Sequence, residues 1–131
     1  MLLSLFVRLL AKSLKKRKSK LSFSPQQTLI LAHRGLTSTH LENTLLALNS
    51  ALAEGADGVE FDVQLSKDNI PFVFHDRHLF RLTGINNYID QLSSIEISQL
   101  YQNSQPYQAS YRIASLAEVL SQMPADKLIN I

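Results

Sequence analysis

Residues 58–76 read GVEFDVQLSKDNIPFVFHD, and no other stretch says more about how the chain folds. Gly58–Gln64 alternates apolar and polar side chains, which predicts a β-strand, and Ile70–Phe74 is an apolar run typical of a second strand. Between them, Ser66–Asn69 has the residue types of a turn. This turn leaves two topologies open: a simple hairpin, or a strand that doubles back before a parallel neighbour.

The flanking sequence adds helices and strands to this pattern. Thr28–Ala32 is almost wholly apolar and is predicted to be a strand buried on both faces. An apolar stripe after Asn43 and Thr44 predicts a helix that one of these two residues caps and that Gly55 ends. Two elements are predicted downstream, a helix at Leu116–Leu120 and a strand at Leu128–Ile131. Strands and helices that mostly alternate are typical of an α/β fold with a parallel sheet.

Length and composition describe one small domain. The 131 residues are 45% hydrophobic and 18% charged, which argues against disorder and suits a single core. With no cysteine, the sequence offers no disulfide, no thiolate metal site and no cysteine nucleophile. The formal charge of +2 is uneven, because residues 1–20 carry +7 and the remaining residues carry −5. The basic character belongs to the first twenty residues, so the body is not predicted to bind nucleic acid.

The basic N-terminal segment has the pattern of an amphipathic helix. In Met1–Leu14 a narrow polar stripe recurs among leucines, and a block of lysine and arginine follows at Lys15–Lys20. One interpretation is peripheral contact of residues 1–20 with an anionic membrane, which predicts a cytoplasmic protein held at the inner membrane surface. The other is a helix that caps the end of a barrel or packs on a partner. The chain then divides into residues 1–27, a basic segment with a linker, and residues 28–131, a folded domain.

Glu60 and Asp62 are the first candidates for chemistry. One residue separates them on a predicted strand, so both carboxylates lie on one face, with Val59, Phe61 and Val63 on the other. Two carboxylates this close repel each other unless a cation lies between them, and hard oxygen ligands suit Ca²⁺ or Mg²⁺. The alternative is an ordinary solvated strand face. The apolar flanks favour burial and hence a metal site.

Histidines stand at the ends of two predicted strands. His33-Arg34-Gly35 ends the first strand and His75-Asp76 ends the third. In parallel α/β folds, sites form at the carboxyl ends of strands, so these groups are expected to meet the carboxylates. A histidine pair can serve as general acid and general base near neutral pH, and Arg34 can bind an anion through a two-point contact. Each residue alone is more often structural, and their shared placement is what favours a site.

Other polar residues receive less specific predictions. His40 and His78 are predicted to be loop or surface residues. Asp76 either orients the adjacent histidine or holds the turn that follows, whereas Glu42 either faces the site or serves the start of the helix. The segment 76–110 is predicted to be irregular and to cover the site.

Five ordered motifs closely resemble those of the glycerophosphodiester phosphodiesterase family. They are HRG at 33–35, ENT at 42–44, GADGVEFDVQLSKDN at 55–69, PFVFHD at 71–76 and LFRLTG at 79–84. The resemblance is strong from His33 to Gly84 and continues more weakly through IASLAEVL and KLINI. It implies a TIM-type (β/α) barrel and metal-dependent hydrolysis of glycerophosphodiesters to glycerol 3-phosphate and an alcohol.

The resemblance also implies roles for the candidate residues. His33 and His75 would be the catalytic pair, one a base and the other an acid. Arg34 would bind the substrate phosphate, and Glu42 would support the site. The paired carboxylates of the second strand would bind the divalent cation, Ca²⁺ or Mg²⁺.

A barrel of this kind places a demand on the topology. Glu60, Asp62 and His75 can share one end of a parallel barrel only if the chain doubles back after the turn. Leu41 stands where the family usually has proline. The third metal carboxylate of the family falls beyond KLINI, so we expect the N-terminal half of a barrel that stops within about the fourth strand.

Half a barrel has consequences for function. We expect weak metal binding and little or no turnover by this chain alone, unless a second chain pairs with it to complete the barrel. One alternative is a non-catalytic, membrane-associated remnant or interaction module. Another is a lipid phosphodiesterase of the lysophospholipase D type, which the apolar N-terminal segment would bring to membrane substrates.

Overall fold

The structure is a computed structural model, and it describes residues 28–104 and 109–131. The strands in these residues are Leu31–His33 (β1), Gly58–Glu60 (β2), Val63–Leu65 (β3), Pro71–Val73 (β4), Tyr101–Ser104 (β5), Ala109–Arg112 (β6) and Leu128–Asn130 (β7). The helices are Leu45–Ala53 (α1), Phe80–Thr83 (α2), Ser94–Ser98 (α3) and Leu116–Gln122 (α4), with a 3₁₀ turn at Ile89–Gln91. In this part of the chain, no helix has the length and apolar character needed to cross a membrane. The predictions for residues 1–27 lie outside the described residues.

A parallel three-stranded sheet in the order β1-β2-β7 forms one layer of the domain. Gly58 on the central strand pairs with Leu31 on one side and with Leu128 on the other. A Cβ atom at Gly58 would lie 2.4 Å from the Leu128 carbonyl oxygen, so only glycine lets the backbones approach this closely. The predicted parallel sheet is confirmed.

Helices α1 and α4 form the first core together with this sheet. α1 begins after Thr44, whose side chain accepts a hydrogen bond from the Ala47 N–H, and it ends before Gly55, whose φ is +100°. Buried apolar side chains from both helices and from the sheet region meet in this core: Leu48, Ala51, Val59, Phe61, Leu116, Val119 and Leu120. Both helices lie where the sequence predicts them.

The chain after β2 forms a simple hairpin. β3 and β4 pair antiparallel with Val63 opposite Val73, and the Ser66 N–H donates to the Ile70 carbonyl across the turn at 3.0 Å. So short a turn permits only this pairing, because parallel neighbours need a crossover of about a dozen residues or more. The doubling-back topology is therefore wrong. Since β4 is not in the parallel sheet, β7 is the third strand of that sheet and not the fourth.

Strand β1 differs from its prediction in position and in burial. It is shifted toward His33, and the apolar residues Ile30 and Leu31 are 65% and 40% exposed. Within residues 28–104 and 109–131, β1 pairs only with β2 and so forms an edge of the sheet. Burial of this run on both faces is therefore wrong for the described structure, because nothing described covers its outer side.

The segment between Asp76 and Ser110 is not irregular. It carries α2, the 3₁₀ turn, α3 and β5, and β6 begins before its end. Its apolar side chains form a second core with those of the hairpin, and the fully buried members are Phe74, Leu79, Ile89 and Ile97. The prediction of irregular structure is wrong because these helices are too short to show a helical period in the sequence.

Candidate active site

Two of the predicted site residues end adjacent parallel strands. His33 is the last residue of β1, Glu60 is the last of β2, and the two are paired in register. His33 Nε2 lies 3.8 Å from Glu60 Oε2. Val59 and Phe61 are fully buried, whereas the side chains of Glu60 and Asp62 are 22% and 25% exposed. The carboxylates thus stand apart from the buried apolar side chains, at the carboxyl end of the sheet.

Arg34 lies among the carboxylates. Its φ is +57°, in the left-handed region, and its backbone N–H donates to the Glu60 carbonyl at 2.9 Å. In the side chain, Nε is 3.0 Å from Asp62 Oδ2 and Nη1 is 3.2 Å from Glu42 Oε1. The chain then passes against α1, and a Cβ atom at Gly35 would lie 2.5 Å from the backbone of that helix. Glycine therefore has to follow Arg34.

Asn43 holds Asp62 from the start of α1. The asparagine is 1% exposed, its Nδ2 donates to Asp62 Oδ2 at 3.1 Å, and its Oδ1 accepts from the Asp62 backbone N–H at 3.3 Å. Its φ of +57° is tolerated better by asparagine than by most residues. From the sequence, Asn43 is only a candidate helix cap, because no local pattern shows which distant group a buried amide contacts.

His75 reaches the same place through the hairpin. Because β4 runs antiparallel to β3, its end returns to the start of β3, where the Phe74 N–H donates to the Asp62 carbonyl at 3.0 Å. Gln64 Nε2 donates to the His75 carbonyl at 2.9 Å. The hairpin therefore brings His75 beside the carboxylates without the parallel strand that the sequence pattern required. The side chains of His33 and His75 remain 73% and 42% exposed, open to a substrate.

Asp76 and Arg81 join His75 to Glu42. Asp76 Oδ1 lies 2.7 Å from His75 Nδ1. Arg81 donates from Nε to Asp76 Oδ2 at 2.5 Å and from Nη2 to Glu42 Oε1 at 2.7 Å. Asp76 therefore fills both of its predicted roles, since it contacts the histidine and, through Arg81, holds the segment that follows.

The electrostatics keep both of these carboxylates ionised at neutral pH. The hydrogen bond from Arg81 outweighs burial and lowers the pKa of Asp76 to about 2. Burial raises the pKa of Glu42, but hydrogen bonds and charges of Arg81 and Arg34 leave it below its usual value. The same two carboxylates raise the pKa of Arg81.

Three further predictions concern residues near the site. Glu42 faces the site and not the helix start, because its carboxylate binds both arginines. His78 lies in a loop, where its ring packs edge-on against Tyr88 with the ring centroids 4.8 Å apart. His40 lies half-buried in the loop before α1, and neither of these histidines joins the cluster. Leu41, at the position where proline was expected, is 3% exposed and packs in the second core.

The charges of the cluster favour a divalent cation. Two arginines and four carboxylates share its contacts, so with neutral histidines the cluster carries a formal charge of −2. Glu60 and Asp62 supply hard oxygen donors of the kind that Ca²⁺ and Mg²⁺ prefer. In the described ranges, no group of three or more histidine, cysteine, aspartate or glutamate side chains is arranged to hold a metal ion. The two carboxylates therefore fit a cation as part of its coordination shell.

Comparisons with known proteins point in one direction. The sequence model of the Glycerophosphoryl diester phosphodiesterase family matches residues 33–131. Among curated proteins, the chain is similar to the uncharacterized protein YqiK of Bacillus subtilis, with 37% identity over 107 residues. That match covers 79% of this chain and 44% of the relative.

Solved structures resemble the chain to a similar extent. A glycerophosphodiester phosphodiesterase from Thermotoga maritima superposes with a TM-score of 0.68 at 38% identity, over 81% of this chain and 44% of that one. A phosphodiesterase from Oleispira antarctica, solved in complex with the product sn-glycerol-3-phosphate, superposes with a TM-score of 0.66 at 38% identity, over 79% and 43%. The chain thus spans less than half the length of the proteins it matches.

Proposed function

The chain belongs to the glycerophosphoryl diester phosphodiesterase family, and from this premise we propose that it takes part in metal-dependent hydrolysis of glycerophosphodiesters to glycerol 3-phosphate and an alcohol. Its fold is accordingly part of a TIM-type (β/α) barrel. One observation carries the proposal: contacts run without a break from His33 and Glu60, over Arg34, to Asp76 and His75. Two imidazoles, an anion-binding group and two potential cation ligands are therefore side by side.

Arg34 is the proposed phosphate ligand. The ion pairs of its side chain with described residues engage Nε and Nη1, which leaves Nη2 for a phosphoryl oxygen. Glu42 holds the guanidinium in place from the other side. Glu60 and Asp62 would hold the divalent cation, Ca²⁺ or Mg²⁺, which when bound supplies positive charge against the phosphoryl oxygens.

His33 and His75 are the proposed acid and base. Because Asp76 is ionised and can only accept, the neutral His75 ring carries its proton on Nδ1 and presents Nε2 as the basic nitrogen. One histidine would take a proton from the nucleophile, water or a substrate hydroxyl. The other would give a proton to the oxygen of the leaving alcohol, so that the phosphorus–oxygen bond breaks without an alkoxide.

The test is release of glycerol 3-phosphate from glycerophosphocholine by the purified chain. We expect release in Ca²⁺ or Mg²⁺ that EDTA abolishes and that His33→Ala and His75→Ala each remove, which excludes a contaminant. A rate that rises more steeply than the chain concentration would show that a second chain completes the barrel. Lysophosphatidylcholine as a second substrate separates the lysophospholipase D alternative, which predicts faster release of choline from it.

A binding measurement covers the case in which the chain alone turns over slowly. We expect sn-glycerol 3-phosphate to shift the side-chain NMR signals of Arg34 and His75, and Arg34→Met to abolish these shifts. Arg77→Met is the matched control, because Arg77 pairs with Asp90 away from the cluster. If the chain neither releases nor binds glycerol 3-phosphate, the proposed function is wrong and a non-catalytic module is favoured.

Residues 1–20 are the proposed membrane contact, which would hold the protein at the inner membrane surface. Their charge of +7 supports this, since each basic residue near an anionic surface contributes about 1 kcal/mol. Flotation with vesicles that contain phosphatidylserine should carry the full chain upward at low salt and leave a chain without residues 1–20 behind. Equal recovery of both chains in the aqueous fraction would favour a helix that packs on protein.

A further inference from the structure

Arg81 has unusual contacts for a surface arginine. It lies on α2 with its side chain 48% exposed, yet all three guanidinium nitrogens donate to carboxylates. Nη1 and Nη2 donate to Glu42 at 3.3 and 2.7 Å, whereas Nε and Nη2 donate to Asp76 at 2.5 and 3.0 Å. Because the nitrogens are all engaged, Arg81 is not placed to bind a substrate anion. Its position suits a bridge between two carboxylates that are distant in the sequence.

Each of these two carboxylates holds a different residue of the site. Asp76 Oδ1 is 2.7 Å from His75 Nδ1, and Glu42 Oε1 is 3.2 Å from Arg34 Nη1. A chain of alternating charge therefore connects the proposed acid–base residue with the proposed phosphate ligand. Arg81 stands at its centre and is the link between the hairpin region and the sheet region.

We propose that Arg81 is a positioning residue that couples His75 to Arg34. Through Asp76 it keeps the proton of the neutral imidazole on Nδ1 and leaves Nε2 free to accept, because the hydrogen bond at one ring nitrogen sets the tautomer. Through Glu42 it holds the guanidinium of Arg34 in the orientation that meets a phosphate. The proposal rests on the proposed function for the roles of His75 and Arg34, while its geometry does not.

The first test measures the His75 tautomer by ¹⁵N NMR of the full chain at a pH where the ring is neutral. Wild type should show the proton on Nδ1. In Arg81→Met the Asp76 carboxylate loses its anchor, and the ratio of the Nδ1–H to the Nε2–H form should fall about threefold or more. Arg81→Lys keeps one charge but cannot bridge two carboxylates, so it should give an intermediate ratio.

Controls separate positioning from a general loss of structure. Methionine is about as favourable as arginine in a helix, so Arg81→Met should keep the backbone amide spectrum of wild type. If it does not fold, Arg81→Lys carries the test. Arg77→Met removes an equally exposed arginine that pairs with Asp90 and should leave the tautomer unchanged. Asp76→Asn should change the tautomer at least as much as Arg81→Met.

The second test measures binding of sn-glycerol 3-phosphate, and it separates the two proposals. Several-fold weaker binding by Arg81→Met than by Arg77→Met would support the coupling to Arg34, and equal affinities would overturn that half. A tautomer that stays on Nδ1 in folded Arg81→Met would overturn the proposal outright. If the tautomer changes but no variant binds glycerol 3-phosphate, the coupling to His75 stands and the proposed function fails.

Discussion

The two histidines of the site stand on regions that are built differently. His33 ends a strand of the parallel sheet, where the backbone register brings it to Glu60, and its imidazole is 3.8 Å from that carboxylate. His75 follows an antiparallel hairpin, and side chains hold it, beginning with Asp76 at 2.7 Å. The sheet region thus positions its groups through the main chain, whereas the hairpin region depends on a series of charged side chains.

This difference has a consequence for substitution. A backbone register survives the loss of most single side chains, because the ladder of hydrogen bonds is independent of them. A series of side-chain contacts fails at whichever member is removed. The hairpin region should therefore be the more sensitive of the two to single changes, and the following predictions test it.

The largest effect is expected where the hairpin joins the second core. Phe74 is fully buried beside the backbone contact with Asp62, so Phe74→Ala should lower the free energy of unfolding by about 4 kcal/mol and release His75 from the site. Phe80, 59% exposed on α2, is the matched control, and Phe80→Ala should change it by about 0.5 kcal/mol. Urea unfolding of both variants measures this. Similar losses in the two would show that the hairpin is not anchored through its core.

A smaller effect is expected from the residue that ties α1 to the sheet. Asn43→Ala removes two buried hydrogen bonds to Asp62 and should cost about 2 kcal/mol of unfolding free energy. It should also weaken Ca²⁺ or Mg²⁺ binding measured by calorimetry, because Asp62 loses its orientation. Asn49→Ala on the exposed face of α1 is the control and should leave both quantities unchanged. Unchanged stability in Asn43→Ala would mean that register alone positions Asp62.

Asn43 and Arg81 also show where prediction from the sequence stops. Glu60 and Asp62 were accessible because the strand period places them on one side of the chain, and His33 and Arg34 because they end a strand. Asn43 and Arg81 carry no comparable signal, because each acts on a residue that is distant in the sequence. Site residues that stand on a local pattern were found, and the residues that hold them were not.

The fold divides in the same way. Helices α1 and α4 have caps and an apolar stripe, so the sequence located them. The role of β4 depended on whether Ser66–Asn69 closes a hairpin, and residue types alone left that choice open. α2 and α3 are too short for a period to be seen, and the tertiary contacts of the second core form them.

Acid should weaken the hairpin region through Asp76. Its pKa of about 2 lies below the ordinary value near 3.9, so its contribution to stability is complete above about pH 4 and is lost as the pH falls toward 2. Screening by solvent limits that contribution to about 1 kcal/mol. Asp76→Asn should therefore lose less stability than wild type between pH 5 and pH 2.5, measured by urea unfolding at both values. Parallel losses in the two chains would place the acid sensitivity elsewhere, for example at Asp68, whose pKa is also about 2.

The smallest effect is expected at an arginine outside the series of contacts. Arg77 pairs with Asp90 at 2.8 Å and stands over the Tyr88 ring at 5.3 Å, but its side chain is 67% exposed. Exposed pairs of this kind contribute about 0.5 kcal/mol, so Arg77→Met should change the urea midpoint little, and less at high salt. Arg81→Met, on the same excursion of the chain, should have the larger effect because it separates two carboxylates that each hold a site residue. If the two arginines proved equivalent in stability, in His75 tautomer and in glycerol 3-phosphate binding, the hairpin region would be held by its core and backbone, as the sheet region is by its register.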